Sequence, residues 1–134
     1  MEIPPRKETT RGPAETFTGE VWLDTIYHPE PPRRGRINAV RFTPGARSAW
    51  HRHALGQTLY VTEGVGIVQP RGEEAVEIRA GDIVEIPAGE VHWHGAAARH
   101  YMCHLSITEL PEDGRPEIDW QDHVTDEEYR EAAG

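Results

Sequence analysis

The chain has 134 residues, a formal net charge of −9 and a single cysteine, Cys103. That length suits one compact domain, and a lone thiol excludes an intrachain disulfide framework and any multi-cysteine metal site. Ten acids against Arg115 and Arg130 give residues 109–134 a charge of −8 and leave −1 for everything before them; without a basic stripe the chain is a poor match for nucleic acid, and no apolar run is long enough to span a bilayer.

In chain order, residues 1–18 open with MEIPPRKETTRGPAE, polar and proline-bearing, with no apolar leader core. They read as an N-terminal arm whose order depends on docking, and a cytoplasmic chain is expected. Over residues 19–124, short apolar or alternating runs recur: VWLDTIY, RINAVRF, QTLYVTE, GIVQP, AVEIRA, DIVEIP and HYMCHLSITEL. The turn segments PPRRGR, TPGAR, EG, PRGEE, AGD and PAGE separate them. Many short strands at close spacing with Gly and Pro turns predict an all-β sandwich or barrel rather than alternating β and α units. Residues 125–134 carry the one helical signal, a capping box from Thr125 to Glu128 that opens a short acidic helix with a solvated face.

Within the β region the sequence places histidines in pairs. On a strand, residues two apart share a face, so His51 and His53 point together while Arg52 points away, and His92 and His94 repeat the pattern around Trp93. Gln57 opens the run after Ala54-Leu55-Gly56, and from an adjacent strand its amide oxygen can reach the same point. On the last long strand, Met102, His104, Ser106 and Thr108 share one face, whereas Tyr101, Cys103, Leu105 and Ile107 share the other. That second set belongs either to the core between sheets or to a subunit interface. Burying five imidazoles demands a partner for each, and a bound cation supplies one. Imidazoles with a carboxamide oxygen suit Mn, Fe, Co, Ni, Cu or Zn. His28, His100 and His123 read as ordinary hydrogen-bonded or surface histidines.

The stretch from Gly45 to Gly64, GARSAWHRHALGQTLYVTEG, resembles the first cupin motif, with glutamine where that family usually has glutamate. The stretch from Gly81 to His92, GDIVEIPAGEVH, resembles the second, with Ala96 in place of the usual asparagine. GPAETFTG near the start, VHWHGAA, the His104 strand and the ending DHVTDEEYR resemble the small bacterial cupins that include manganese-dependent hydroxynitrile lyases. The resemblance implies a double-stranded β-helix, or jelly-roll barrel, with a short C-terminal helix. It implies a divalent ion, manganese first among Mn, Fe, Zn, Co and Ni, held by His51, His53, Gln57 and His92. It also implies a homodimer or higher homo-oligomer.

Exchanging a carboxylate ligand for Gln57 removes a negative charge, which strengthens Lewis-acid polarisation and disfavours an oxidised metal. That favours a non-redox role, and the resemblance implies a carbon–carbon lyase cleaving or forming cyanohydrins, with His94 and His104 handling protons. Asn38, Val40 and Thr108 are expected to line the pocket for the small-molecule substrate, Asn38 hydrogen-bonding the ligand or His94. An iron- or manganese-dependent dioxygenase and a non-catalytic, metal-loaded binding module are the competing readings on the same barrel.

Overall fold

The computed structural model describes residues 1–134. Its strands are β1 (Thr10–Arg11), β2 (Phe17–Thr18), β3 (Val21–Tyr27), β4 (Gly35–Phe42), β5 (Arg47–Ser48), β6 (His51–His53), β7 (Gln57–Pro70), β8 (Val76–Arg79), β9 (Ile83–Ile86), β10 (His92–Ala96), β11 (Met102–Glu109) and β12 (Ile118–Trp120), followed by the helix α1 (Asp126–Ala133). All pairings are antiparallel: β1, β3, β4, β11, β7 and β9 form one sheet, and β2, β5, β10, β7 and β8, with β6 and β12, form the other. The expected all-β jelly-roll barrel with a short terminal helix is what the chain forms.

One strand passes through both sheets. The sequence predicts a turn at Glu63-Gly64, but β7 continues without a break, pairing with β11 and β9 in its first half and with β10 and β8 in its second. Gly64 permits this: its φ is +81°, and a Cβ there would lie 2.0 Å from the Tyr101 carbonyl oxygen. A glycine in that conformation bends a strand from one sheet into the next without ending it. Glu63-Gly64 is therefore a corner of the barrel.

The two sheets enclose Val21, Val40, Phe42, Leu59, Val61, Val68 and Met102, all buried. Each large side chain removed from water contributes roughly 1.5–3 kcal/mol, so this row carries much of the fold. A second cluster, Trp50, Ile67, Trp93, Val124 and Tyr129, lies on the far side of the second sheet under α1. The helix begins at the predicted capping box, with Thr125 accepting from the Glu128 backbone and Glu128 accepting from the Thr125 backbone. It is not only a solvated acidic face, because the Tyr129 hydroxyl donates to the Ala96 carbonyl (2.7 Å) and the Arg47 guanidinium lies over the Tyr129 ring. This second core explains why every residue of β10 is buried: His92 and His94 face the barrel, and Trp93 faces the helix.

Inside the segment expected as an arm, β1 pairs with β3 and β2 with β5, which ties residues 10–18 to both sheets. The alternate set on β11 is not core between sheets. Tyr101 and Ile107 are exposed and Cys103 and Leu105 half-buried, on the outer face of the first sheet. No helix is long and apolar enough to cross a membrane.

Candidate metal centre

Three strands bring the paired histidines together. His51 on β6 stands directly opposite His92 on β10, and β12 covers the other edge of β6, with Ile118 opposite His53 and Trp120 opposite His51. The His51 and His92 ring centroids are 4.3 Å apart, and the Trp120 indole lies 4.6 Å from the His51 ring. One nitrogen of each of His51, His53 and His92 falls within 4.8 Å of the others, and all three residues are buried.

The hydrogen bonds choose which nitrogen faces inward. Nδ1 of His51 donates to the Ala49 carbonyl (2.8 Å), Nδ1 of His92 to the Glu90 carbonyl (2.9 Å), and Nδ1 of His53 to a Glu117 carboxylate oxygen (2.6 Å). Carbonyl and carboxylate oxygens only accept, so each ring holds its proton on Nδ1 and turns the Nε2 lone pair to the common centre. Burial pushes the His92 pKa down to about 4, and burial with the neighbouring His92 pushes His51 well below the usual imidazole range. His51 and His92 are thus held neutral at pH 7, the state that ligates a metal.

Gln57 completes the set from β7. Its amide nitrogen donates to Ser106 Oγ (2.8 Å), which turns its oxygen to His92 Nε2 at 2.9 Å. In this orientation two acceptors meet, and His53 Nε2 is buried with no partner at all. A cation at the centre satisfies both, and three imidazoles with one amide oxygen fit a divalent transition metal without selecting one.

Facing this cluster is a second histidine pair. His94 on β10 and His104 on β11 meet across the barrel, Nδ1 of His94 lying 3.0 Å from Nε2 of His104. Their outer nitrogens, His94 Nε2 and His104 Nδ1, are buried without partners. The His94 ring stands 5.2 Å from His51 and 5.9 Å from Phe42, centroid to centroid. Burial lowers the His104 pKa to about 4, and burial with the adjacent His104 lowers His94 further below its ordinary value.

A cavity of about 360 Å³ opens on these groups. Its wall includes Asn38, Val40 and Thr108, together with Phe17, Leu23, Ile118 and Trp120, and its floor includes His51, His53, Gln57, His94 and His104. That volume is enough for a small organic molecule. The expected bond from Asn38 to His94 does not form: the Asn38 side-chain oxygen pairs with His28 Nε2 at 3.0 Å. The register gives the reason. Val40, not Asn38, is opposite His104, and Asn38 is opposite Ser106, two residues further along β11. His28 is exposed, as are His100 and His123. Glu117, Ile118 and Trp120 escaped sequence reasoning because they follow a loop, PEDGRP, whose composition gives no strand signal.

Comparison with known proteins bears on the same residues. The cupin-domain family model matches residues 38–107, which contain every histidine of the two clusters. The chain is 49% identical over 120 residues to an "(R)-mandelonitrile lyase" of Granulicella tundricola, covering 90% of both proteins. A cupin-like protein from Thermotoga maritima superposes with a TM-score of 0.86 at 40% identity, over 98% of this chain and 97% of that one. The polyketide cyclase RemF from Streptomyces resistomycificus shares the fold, with a TM-score of 0.72 at 17% identity over 97% of this chain and 91% of that one.

Proposed function

Because the chain belongs to the cupin family, we propose that it is a metal-dependent hydroxynitrile lyase, cleaving a cyanohydrin to an aldehyde and hydrogen cyanide and catalysing the reverse addition. The observation that carries this reading is the juxtaposition of a four-donor metal cluster, three of whose members line the cavity, and a buried pair of neutral imidazoles. The 49% identical mandelonitrile lyase supports the substrate class.

His51, His53, Gln57 and His92 would hold the ion, manganese being the expected metal. When bound, it supplies Lewis acidity toward the substrate's oxygen or nitrile. The histidine pair handles the proton. Two neutral imidazoles joined by one N–H···N bond have one donor and one acceptor end left over, whichever ring supplies the shared proton. The acceptor end takes the cyanohydrin hydroxyl proton as the carbon–nitrile bond breaks and its electron pair leaves with cyanide. The donor end returns a proton to the cyanide, so the pair finishes neutral with its tautomers exchanged. Val40, Leu23, Phe17 and Ile118 present an apolar wall for the aldehyde substituent, while Asn38, paired with His28, and Thr108 place polar groups elsewhere in the wall.

The reaction neither consumes nor produces an oxidant. Manganese-loaded protein incubated with mandelonitrile under nitrogen is expected to release benzaldehyde and cyanide in equal amounts, at the same rate as in air. Turnover that requires dioxygen and consumes it would overturn this reading in favour of the dioxygenase. Ligand binding with no turnover would favour the non-catalytic module.

A further inference from the structure

Glu117 is the one charged side chain hydrogen-bonded to a ligand histidine. Two of the three ligand histidines are held at Nδ1 by backbone carbonyls, but His53 is held by a carboxylate at 2.6 Å, with the His53 side chain 5% exposed and that of Glu117 15%. The backbone fixes this contact: the Ala54 amide donates to the Glu117 carbonyl (2.7 Å), and the next residue, Ile118, pairs with His53 in the β6–β12 ladder. The glutamate is thus positioned by two strands, not by a mobile loop.

The charge count gives the contact its meaning. Three imidazoles and the Gln57 amide bring no negative charge to a dication, so the donor set itself leaves both positive charges uncompensated. A carboxylate accepting from the Nδ1–H of a ligand imidazole orients that ring, raises the electron density at its Nε2 and adds a negative charge just outside the donor set. We propose that Glu117 is a positioning residue for the metal centre, orienting His53 and supplying the negative charge that Gln57 does not. This rests on the reading of His51, His53, Gln57 and His92 as the metal ligands.

The test is the manganese affinity of the full chain, read by the electron paramagnetic resonance of free Mn(II), in the wild type, Glu117→Gln and Asp119→Asn. Asp119 lies two residues on, exposed and paired with Arg52, so its variant removes the same charge from the same segment without touching the cluster. Glu117→Gln is expected to weaken binding by about 10- to 100-fold, and Asp119→Asn to leave it unchanged. Thermal unfolding of the three metal-free proteins checks that the fold is intact. Wild-type affinity in a folded Glu117→Gln chain, or an equal loss in Asp119→Asn, would overturn the proposal and leave the ligand set standing. A wild type that binds no ion would overturn both.

Discussion

Replacing His51 with alanine is expected to lower divalent-metal affinity by at least about 100-fold, a factor set by apportioning the binding energy of a four-ligand protein site over its ligands. His51 is the best-supported member of the cluster. It is 1% exposed, its Nδ1 is fixed by the Ala49 carbonyl, and its ring lies among those of His53, His92, His94 and Trp120. No neighbouring side chain can replace its Nε2, because His92 and His53 are held in place at their own Nδ1 atoms. Metal content after dialysis and cyanide release from mandelonitrile should fall together, and chelated wild-type protein should show the same rate as the variant. A folded His51→Ala chain that keeps both its metal and its rate would remove His51 from the site.

The second large effect is expected at the proton-transfer pair. His104→Ala should reduce kcat by about 10²- to 10⁴-fold while leaving bound metal at the wild-type level, the range for loss of a positioned acid–base group. The separation of the two readouts follows from geometry: His104 is on β11 and bonds to His94, whereas the ligand histidines are on β6 and β10. Because the pair offers its acceptor and donor ends only as a unit, His94→Ala should cause a loss of similar size. The double variant should be little slower than either single one. Rates that multiply in the double variant would mean two independent groups instead of one relay.

The central ligand geometry is legible in the sequence because its rules are local. His51 and His53, and His92 with His94, follow the two-residue period of a strand, and Thr125 with Glu128 announces the helix by a four-residue motif. What the sequence hides depends on contacts distant along the chain. Glu63-Gly64 looks like a turn, but the barrel uses the glycine's positive φ to bend one strand between two sheets. Asn38 shares the inward face with Val40, yet only the β4–β11 register tells which of them meets His104. Glu117 follows a polar loop, and its role emerges from the pairing of β12 with β6, sixty-odd residues away. Trp93 is turned away from the ligands as the strand period requires, but the core that receives it is built by a helix whose composition reads as solvated.

The proposed lyase activity requires one ion in this four-donor cluster. Its most direct test is to titrate Mn(II) into metal-free protein under nitrogen while recording cyanide release from mandelonitrile at each addition. The expected rate is near the uncatalysed background without metal, rises linearly with bound ion and levels off at one ion per chain. A metal-free protein already at full rate, or a fully loaded protein with no release above background, would contradict it.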